Sequence, residues 1–221
     1  MKMEEITFVT EDGVKISGNY SKPKKEHAPV FLLLHMMPST KESWNEFAAR
    51  LREKGFAALA IDLRGHGSSI DKNGSKLDYK EFKDEDHRES MKDIAAAKEF
   101  LKGKGADISR MAIAGASIGA NLALWQASID KDVLLLILLS PGLNYRGIQA
   151  AQLAPRYSGP VYIMASVGDT NAAQSSRELF GIFPGDKELE VIEGNSHGTN
   201  MFISEPEQID KILGWATNKI I

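Results

Sequence analysis

Apolar and polar positions along the chain follow a pattern in which short apolar runs alternate with helical segments. The opening alternates on either side of Asp12-Gly13, which predicts an antiparallel hairpin of two strands at 4–10 and 14–21. Further strands are predicted, most of them as continuous apolar runs, at 30–35, 56–62, 111–115, 133–140, 161–166 and 187–192. Helical spacing predicts helices at 42–54, 87–102, 118–129, 172–180 and 207–218, with a small helical piece at 148–153. This alternation predicts an α/β fold with a mostly parallel central sheet, an N-terminal antiparallel hairpin and helices on both faces.

Length and composition narrow the classes of protein that fit this pattern. The 221 residues suit one domain spanning 1–221. A net charge of −3 gives no electrostatic reason to expect a nucleic acid or an anionic membrane as partner. The chain has no cysteine, which excludes a thiol nucleophile and cysteine metal sites. The first five residues lack the apolar core of a signal peptide, and the apolar run at 133–139 is too short to span a bilayer, so we expect a cytoplasmic protein.

One short motif indicates chemistry. Gly115-Ala-Ser117-Ile-Gly119 stands between an apolar strand and a helix of small residues, which is the sequence form of a nucleophile elbow. Glycines on either side of Ser117 remove side chains at the point where strand and helix would collide. A second match, Gly194-Asn-Ser196-His-Gly198, is followed by no predicted helix before about residue 205. Ser117 is therefore the candidate nucleophile, and Ser196 is predicted to lie in a loop.

A serine hydroxyl needs a base and an orienting acid to become a nucleophile at neutral pH. Asp169 and His197 follow the last two predicted strands, where the ligand site of such a sheet lies. The alternatives are a serine that merely fits a tight turn, an aspartate that caps the next helix and a solvent-exposed loop histidine. His35 and His66 lack metal-ligand spacing, so we expect no metal site.

The whole chain resembles the small, nearly lidless serine esterases of the α/β-hydrolase superfamily. The matching pieces are Leu32-Leu-Leu-His35 with Pro38, Ala60-Ile-Asp62-Leu-Arg64-Gly65-His66-Gly67-Ser68, Gly115-Ala-Ser117-Ile-Gly119, Gly168-Asp169 and Ser196-His197-Gly198. The resemblance implies a triad of Ser117, Asp169 and His197, oxyanion donors in the backbone N–H groups of Met37 and Ile118, and no cofactor. It also implies that His35 and His66 fix loops. One departure is that such esterases usually have His-Gly where this chain has His35-Met36.

The expected activity follows from the resemblance and from the length of one segment. Residues 141–159, where larger relatives carry a lid, form only a short lid-like insertion, which suits an open site and a small-molecule ester substrate. Thioester, amide or lactone hydrolysis on the same triad stays open, as do the natural substrate and the oligomeric state. A non-catalytic binding protein that kept the fold is a less favoured alternative. The candidate substrate pocket consists of Met36, Trp44, Tyr145, Met201 and Phe202, and plain packing is the alternative role for these side chains.

Overall fold

The elements of the computed structural model, which describes residues 3–23 and 26–220, alternate as the pattern predicts. The strands are β1 (Glu4–Val9), β2 (Val14–Ser21), β3 (Pro29–Leu34), β4 (Ala57–Ile61), β5 (Asp71–Lys72), β6 (Ser75–Lys76), β7 (Asp107–Ala116), β8 (Val133–Leu139), β9 (Asn144–Tyr145), β10 (Ile148–Gln149), β11 (Val161–Ser166) and β12 (Lys187–Ile192). The α-helices are α1 (Asn45–Glu53), α2 (Asp84–Arg88), α3 (Met91–Gly103), α4 (Ile118–Ile129), α5 (Ala150–Leu153), α6 (Thr170–Ile182), α7 (Met201–Ser204) and α8 (Glu207–Ile220). Single 3-10 turns lie at Lys41–Trp44, Tyr79–Glu81, Ala154–Arg156 and Gly198–Asn200.

The main sheet has the strand order β12-β11-β8-β7-β3-β4-β2-β5-β6, and β1 pairs with β2. The six strands from β12 to β4 are parallel, whereas β2 is antiparallel to β1, β4 and β5. The predicted fold class is therefore confirmed: a mostly parallel sheet with an antiparallel N-terminal hairpin. In this topology the carboxyl ends of β3, β7, β8, β11 and β12 meet at one edge of the sheet, where the candidate site residues follow them.

The alternation of β3 explains why its sequence is continuously apolar. Val30, Leu32 and Leu34 pack into the core cluster that α3 and α4 cover, whereas Phe31 and Leu33 point into the cluster that α1 and α8 cover. All five side chains are fully buried. A strand with helices on both faces has no solvent side, so polar positions are absent from it.

The polar stretch at 71–89 contains regular structure despite its high content of charged residues. Its first residues form the β5–β6 hairpin, which extends the sheet through pairing with β2. The Tyr79 ring stacks on His66 with centroids 3.9 Å apart, which anchors the middle of the stretch to the loop after β4. The predicted helix at 87–102 is two helices, α2 and α3, separated at Glu89–Ser90.

Two further segments affect the site. The short helix α7 begins at Met201, before the first residue predicted to start a helix, because Met201 and Phe202 turn into the core. Between β8 and β11 the chain forms the small β9–β10 hairpin, α5 and a 3-10 turn. Among the described helices, none combines the length and apolarity needed to cross a membrane.

Candidate active site

Ser117 occupies the sharp turn between β7 and α4. Its backbone is at φ 54° and ψ −119°, a conformation that costs energy for any residue with a side chain. The turn requires the close approach that the glycines allow: a Cβ on Gly115 would lie 2.1 Å from the Gly119 carbonyl oxygen, and a Cβ on Gly119 would lie 2.4 Å from that of Leu34. The prediction that these glycines prevent a collision of strand and helix is confirmed. The Ser117 side chain therefore sits at the N-terminus of α4, where backbone N–H groups lack helical partners.

Asp169 and His197 meet in a short hydrogen bond. His197 Nδ1 donates to Asp169 Oδ2 at 2.6 Å, with the two side chains 33% and 17% exposed. Asp169 is the N-cap residue of α6, but its side chain makes no capping hydrogen bond. Its carboxylate thus binds the imidazole rather than capping the helix. Because Nδ1 carries the proton in this bond, Nε2 is free to act as a base.

The loop that carries His197 is fixed against the nucleophile elbow. Gly198 N donates to Ser140 Oγ at 2.9 Å, and a Cβ on Gly198 would lie 3.2 Å from the Cβ of Ala116, the residue before Ser117. Ser166 Oγ donates to the Ser196 carbonyl at 2.8 Å. Within the described ranges no hydrogen bond joins Ser117 to His197, and such a bond commonly tightens only when substrate binds.

Sequence reasoning missed Ser140 and Ser166, which hold this loop. Ser140 follows the last residue of β8, and Ser166 ends β11. A hydroxyl at the carboxyl end of an otherwise apolar strand is the signal that marks both positions. Their side chains satisfy backbone groups of the histidine loop, so they fix its path without taking part in proton transfer.

The predicted oxyanion loop follows β3, and the His35 side chain fixes it through hydrogen bonds. His35 Nδ1 donates to the Met36 carbonyl at 2.9 Å, and Nε2 accepts from Leu63 N at 3.0 Å. Burial lowers the pKa of His35 to about 4, and the neighbouring His66 adds to this effect. The ring is therefore neutral and joins the loop after β3 to the loop after β4, as expected of a loop-fixing residue. The half-buried Met37 lies just beyond this tie.

A buried ion pair between Lys41 and Asp62 fixes the C-terminal end of the same loop. Asp62 accepts from the backbone N of Lys41 and from Lys41 Nζ, each at 2.8 Å, and from Ser68 N at 2.9 Å. Burial opposes the charge on Lys41, but the carboxylates of Asp62 and Glu42 outweigh it and raise the pKa of Lys41. Asp62 thus ties two loops together, and its lysine partner is a residue that the sequence did not single out.

The predicted pocket residues separate into two groups. Trp44 and Met201 are fully buried, and Trp44 packs edge-on against Phe202 with ring centroids 6.0 Å apart. The structure therefore differs from the sequence prediction here, because these two side chains have no surface that an entering substrate could touch. Met36 and Phe202 expose only an edge, and Met36 packs under Gly198. Tyr145 is half-buried, and its phenol lies near the side chains of Ser117 and Asp169.

Comparisons with known proteins place this site in a family. The family model described as serine aminopeptidase, S33, matches residues 25–153, which is more than half of the chain. An uncharacterized protein of Rickettsia prowazekii is 26% identical over 148 residues, which cover 64% of this chain and 57% of that protein, so the chain spans little more than half the length of this relative.

Solved structures share the fold at low sequence identity. The structure of DcsB in complex with its substrate analogue superposes with a TM-score of 0.84 at 15% identity and covers 99% of each chain. The Pyrococcus furiosus esterase Pf2001 gives 0.76 at 18% identity, covering 100% of this chain and 92% of its own. The dienelactone hydrolase from Anabaena variabilis gives 0.71 at 18% identity, covering 99% and 97%. The chain belongs to the S33 family, within the α/β-hydrolase superfamily.

Proposed function

We propose that this protein is a serine hydrolase that cleaves small carboxylic esters through Ser117, Asp169 and His197. The observation that carries the proposal is the 2.6 Å bond between His197 and Asp169, on a loop packed against a strained serine elbow. Strain of this kind persists where the surrounding structure holds a functional side chain in place. Membership of the α/β-hydrolase superfamily supports hydrolysis in general.

The acylation step follows from the roles of these groups. Ser117 Oγ attacks the carbonyl carbon while His197 Nε2 takes the hydroxyl proton. Asp169 keeps the imidazole in the required tautomer and balances the charge that the ring acquires. The carbonyl oxygen becomes an oxyanion, which the backbone N–H groups of Met37 and Ile118 stabilise.

The tetrahedral intermediate then collapses. The bond from carbon to the leaving oxygen breaks, its electron pair goes to that oxygen, and the His197 imidazolium supplies the proton. Water enters, His197 takes one of its protons, and the hydroxide attacks the acyl group on Ser117. The second tetrahedral intermediate collapses: the bond from the acyl carbon to Ser117 Oγ breaks, its electron pair goes to Oγ, and the His197 imidazolium returns the proton to Oγ as the carboxylic acid leaves. These steps need only groups of this chain and water.

The ester class is the most specific part of the proposal. Among the proteins that share the fold, the Pyrococcus furiosus protein is an esterase and the Anabaena variabilis protein is a dienelactone hydrolase, whereas the family model carries a peptidase description. Hydrolysis of a thioester, a lactone or an amide on the same triad is the second candidate. Rates for an ester, a thioester and an amide with one common acyl group, together with a lactone, separate these classes.

The decisive experiment compares two serines. Ser117→Ala should abolish labelling by a fluorophosphonate and lower turnover of p-nitrophenyl butyrate by about 1000-fold or more. Ser196→Ala is the matched control, because Ser196 lies in the second Gly-x-Ser-x-Gly match, where its hydroxyl pairs with that of Ser204. The control should keep both activities. Turnover by Ser117→Ala within tenfold of wild type would contradict the assignment.

A further inference from the structure

A tight hairpin holds Tyr145 beside the nucleophile. Strands β9 and β10 pair antiparallel, with Tyr145 opposite Ile148. The two residues between them, Arg146 and Gly147, have φ values of 52° and 77°. Two consecutive left-handed residues are typical of the tightest hairpin turns. The short connection leaves the position of Tyr145 little freedom.

The hairpin is clamped to the helix that begins at Ser117. Asn121 lies one helical turn after Ser117 and is buried. Its Nδ2 donates to the carbonyls of Gly142 at 2.8 Å and Ile148 at 3.1 Å, and its Oδ1 accepts from Gly142 N at 3.1 Å. One amide thus fixes both ends of the hairpin. The distance between the nucleophile and the hairpin is therefore set by one rigid element.

Packing against the backbone also fixes the orientation of the Tyr145 ring. A Cβ on Gly142 would lie 2.8 Å from Cε2 of the ring, so the ring lies directly against this backbone. The phenol lies near the Ser117 side chain. Burial raises the pKa of Tyr145, and the charge of Asp169 adds to this effect. The phenol is therefore neutral at working pH and keeps a proton to donate in a hydrogen bond.

The strand order decides which side of the substrate the phenol faces. Strand β7, which carries Ser117, lies between β3 and β8. Met37 follows β3, whereas the hairpin follows β8, so the phenol and this oxyanion donor flank the serine from opposite sides. Asp169 follows β11, beyond β8, on the phenol's side. Because His197 pairs with Asp169, the substrate oxygen on this side is, in the mechanism proposed above, the leaving oxygen that His197 protonates.

We propose that Tyr145 donates a hydrogen bond to the leaving oxygen of the ester and thereby makes esters of ordinary alkyl alcohols the preferred substrates. The inference rests on the proposed function. In the step concerned, the carbon–oxygen bond breaks, the electron pair stays on the oxygen, and the proton comes from His197. Tyr145 keeps its own proton and stabilises the negative charge that develops on the oxygen.

The chemistry of the alcohol makes this role measurable. An alkoxide is a strong base and leaves slowly without stabilisation, whereas a nitrophenolate spreads its charge over the ring and leaves unaided. A donor at the leaving oxygen therefore accelerates alkyl esters more than nitrophenyl esters. A tyrosine with a merely structural role would affect both equally.

The test compares ethyl butyrate with p-nitrophenyl butyrate, which form the same acyl-enzyme. Tyr145→Phe keeps the ring and removes only the hydroxyl. We expect kcat/KM for ethyl butyrate to fall by about 10- to 100-fold, since hydrogen bonds to developing charge are strong. For p-nitrophenyl butyrate the loss should stay below about threefold, because this leaving group needs little stabilisation. Across a series of leaving alcohols, the dependence of log kcat/KM on alcohol pKa should become steeper in the variant.

Tyr157→Phe is the matched control. Tyr157 is buried in the same segment, and its hydroxyl has no hydrogen-bond partner among the residues that the structure describes. This variant should retain both activities and the wild-type dependence on the alcohol. An equal loss on both esters in Tyr145→Phe, or no loss, would overturn the inference. A wild-type protein that hydrolyses neither ester, nor reacts with a fluorophosphonate, would instead contradict the proposed function.

Discussion

The contact between α4 and the end of β3 provides a direct test of how the elbow sets the oxyanion site. Gly119 lies in the first turn of α4, and a Cβ there would stand 2.4 Å from the Leu34 carbonyl oxygen and 2.7 Å from that of His35. Both are backbone atoms, so no side chain can rotate away. Ordinary contact begins near 3.4 Å, so in Gly119→Ala the helix must retreat from β3 by roughly 1 Å.

Two opposing effects set the change in stability. Replacing glycine by alanine within a helix stabilises by about 1 kcal/mol. Overpacking costs about 1 to 3 kcal/mol, and several contacts to rigid backbone place Gly119→Ala near the upper figure. The net loss in the free energy of unfolding is then about 2 kcal/mol. For a chain of 221 residues each kcal/mol shifts Tm by about 2 °C, so Tm should fall by about 4 °C.

The loss of activity should be larger than the loss of stability suggests. The N–H of Ile118 moves with the helix, away from the loop that carries Met37. Oxyanion donors act at about 2.7 to 3.1 Å, so a shift of roughly 1 Å removes most of one donor and lowers kcat by about 100-fold. Turnover of p-nitrophenyl butyrate and thermal unfolding, measured on the same preparation, report the two effects.

Gly214→Ala is the control, because Gly214 lies within α8 and a Cβ there meets nothing within 4 Å. It should raise Tm by about 2 °C, as expected from helix propensity alone, and leave turnover unchanged. If Gly119→Ala also raises Tm and keeps full activity, the close approach of helix and strand has no part in the site, and the reasoning fails.

Two further predictions concern substrate length and pH. Among p-nitrophenyl esters, kcat/KM should peak at acyl chains of about C2 to C6, because a lid-like insertion of 19 residues cannot enclose a longer chain. In an enclosed tunnel, each further buried CH₂ would add about 0.8 kcal/mol of binding free energy. A tenfold preference for decanoate over butyrate would contradict this prediction. Burial lowers the pKa of His35 and of His87 from 6.5 to about 4, so below pH 6.5 the unfolded chain takes up protons that the folded chain does not. Stability should therefore be full above pH 6.5 and decline toward pH 4, and His87→Phe should flatten this decline in a Tm series; an unchanged decline would exclude His87 as a contributor.

The sequence predicted best what depends on local pattern. Helix α4 and strands β2, β11 and β12 have the predicted bounds, since apolar periodicity and flanking glycines mark them directly. The elbow was predictable for the same reason, because its glycines and serine are consecutive. The structure of residues 71–89 was less predictable, because the few aromatic residues there form no periodic pattern. Tyr79 nevertheless anchors this stretch to His66.

Residues that hold the site through contacts between distant segments were not predictable. Asn121 binds Gly142, 21 residues further on, and Ser140 binds Gly198, 58 residues further on. Neither contact produces a periodic pattern in the sequence, because each depends on how loops from separate strands meet. For Trp44 and Met201 the sequence predicted a role that the structure does not show. Their positions near the site suggested a substrate wall, but their side chains pack into the core.

The first turn of α4 is where these distant contacts converge. Through Gly119 it touches the end of β3, through Asn121 it holds the hairpin that carries Tyr145, and Ala116 just before it supports the histidine loop. The groups that surround the reacting carbon are thus positioned against one short piece of backbone. A displacement of that piece moves each group relative to the others, so substitutions in this turn should reduce turnover as well as stability. Preorganisation of this kind would let the proposed esterase site stabilise a transition state without reorganising its own dipoles.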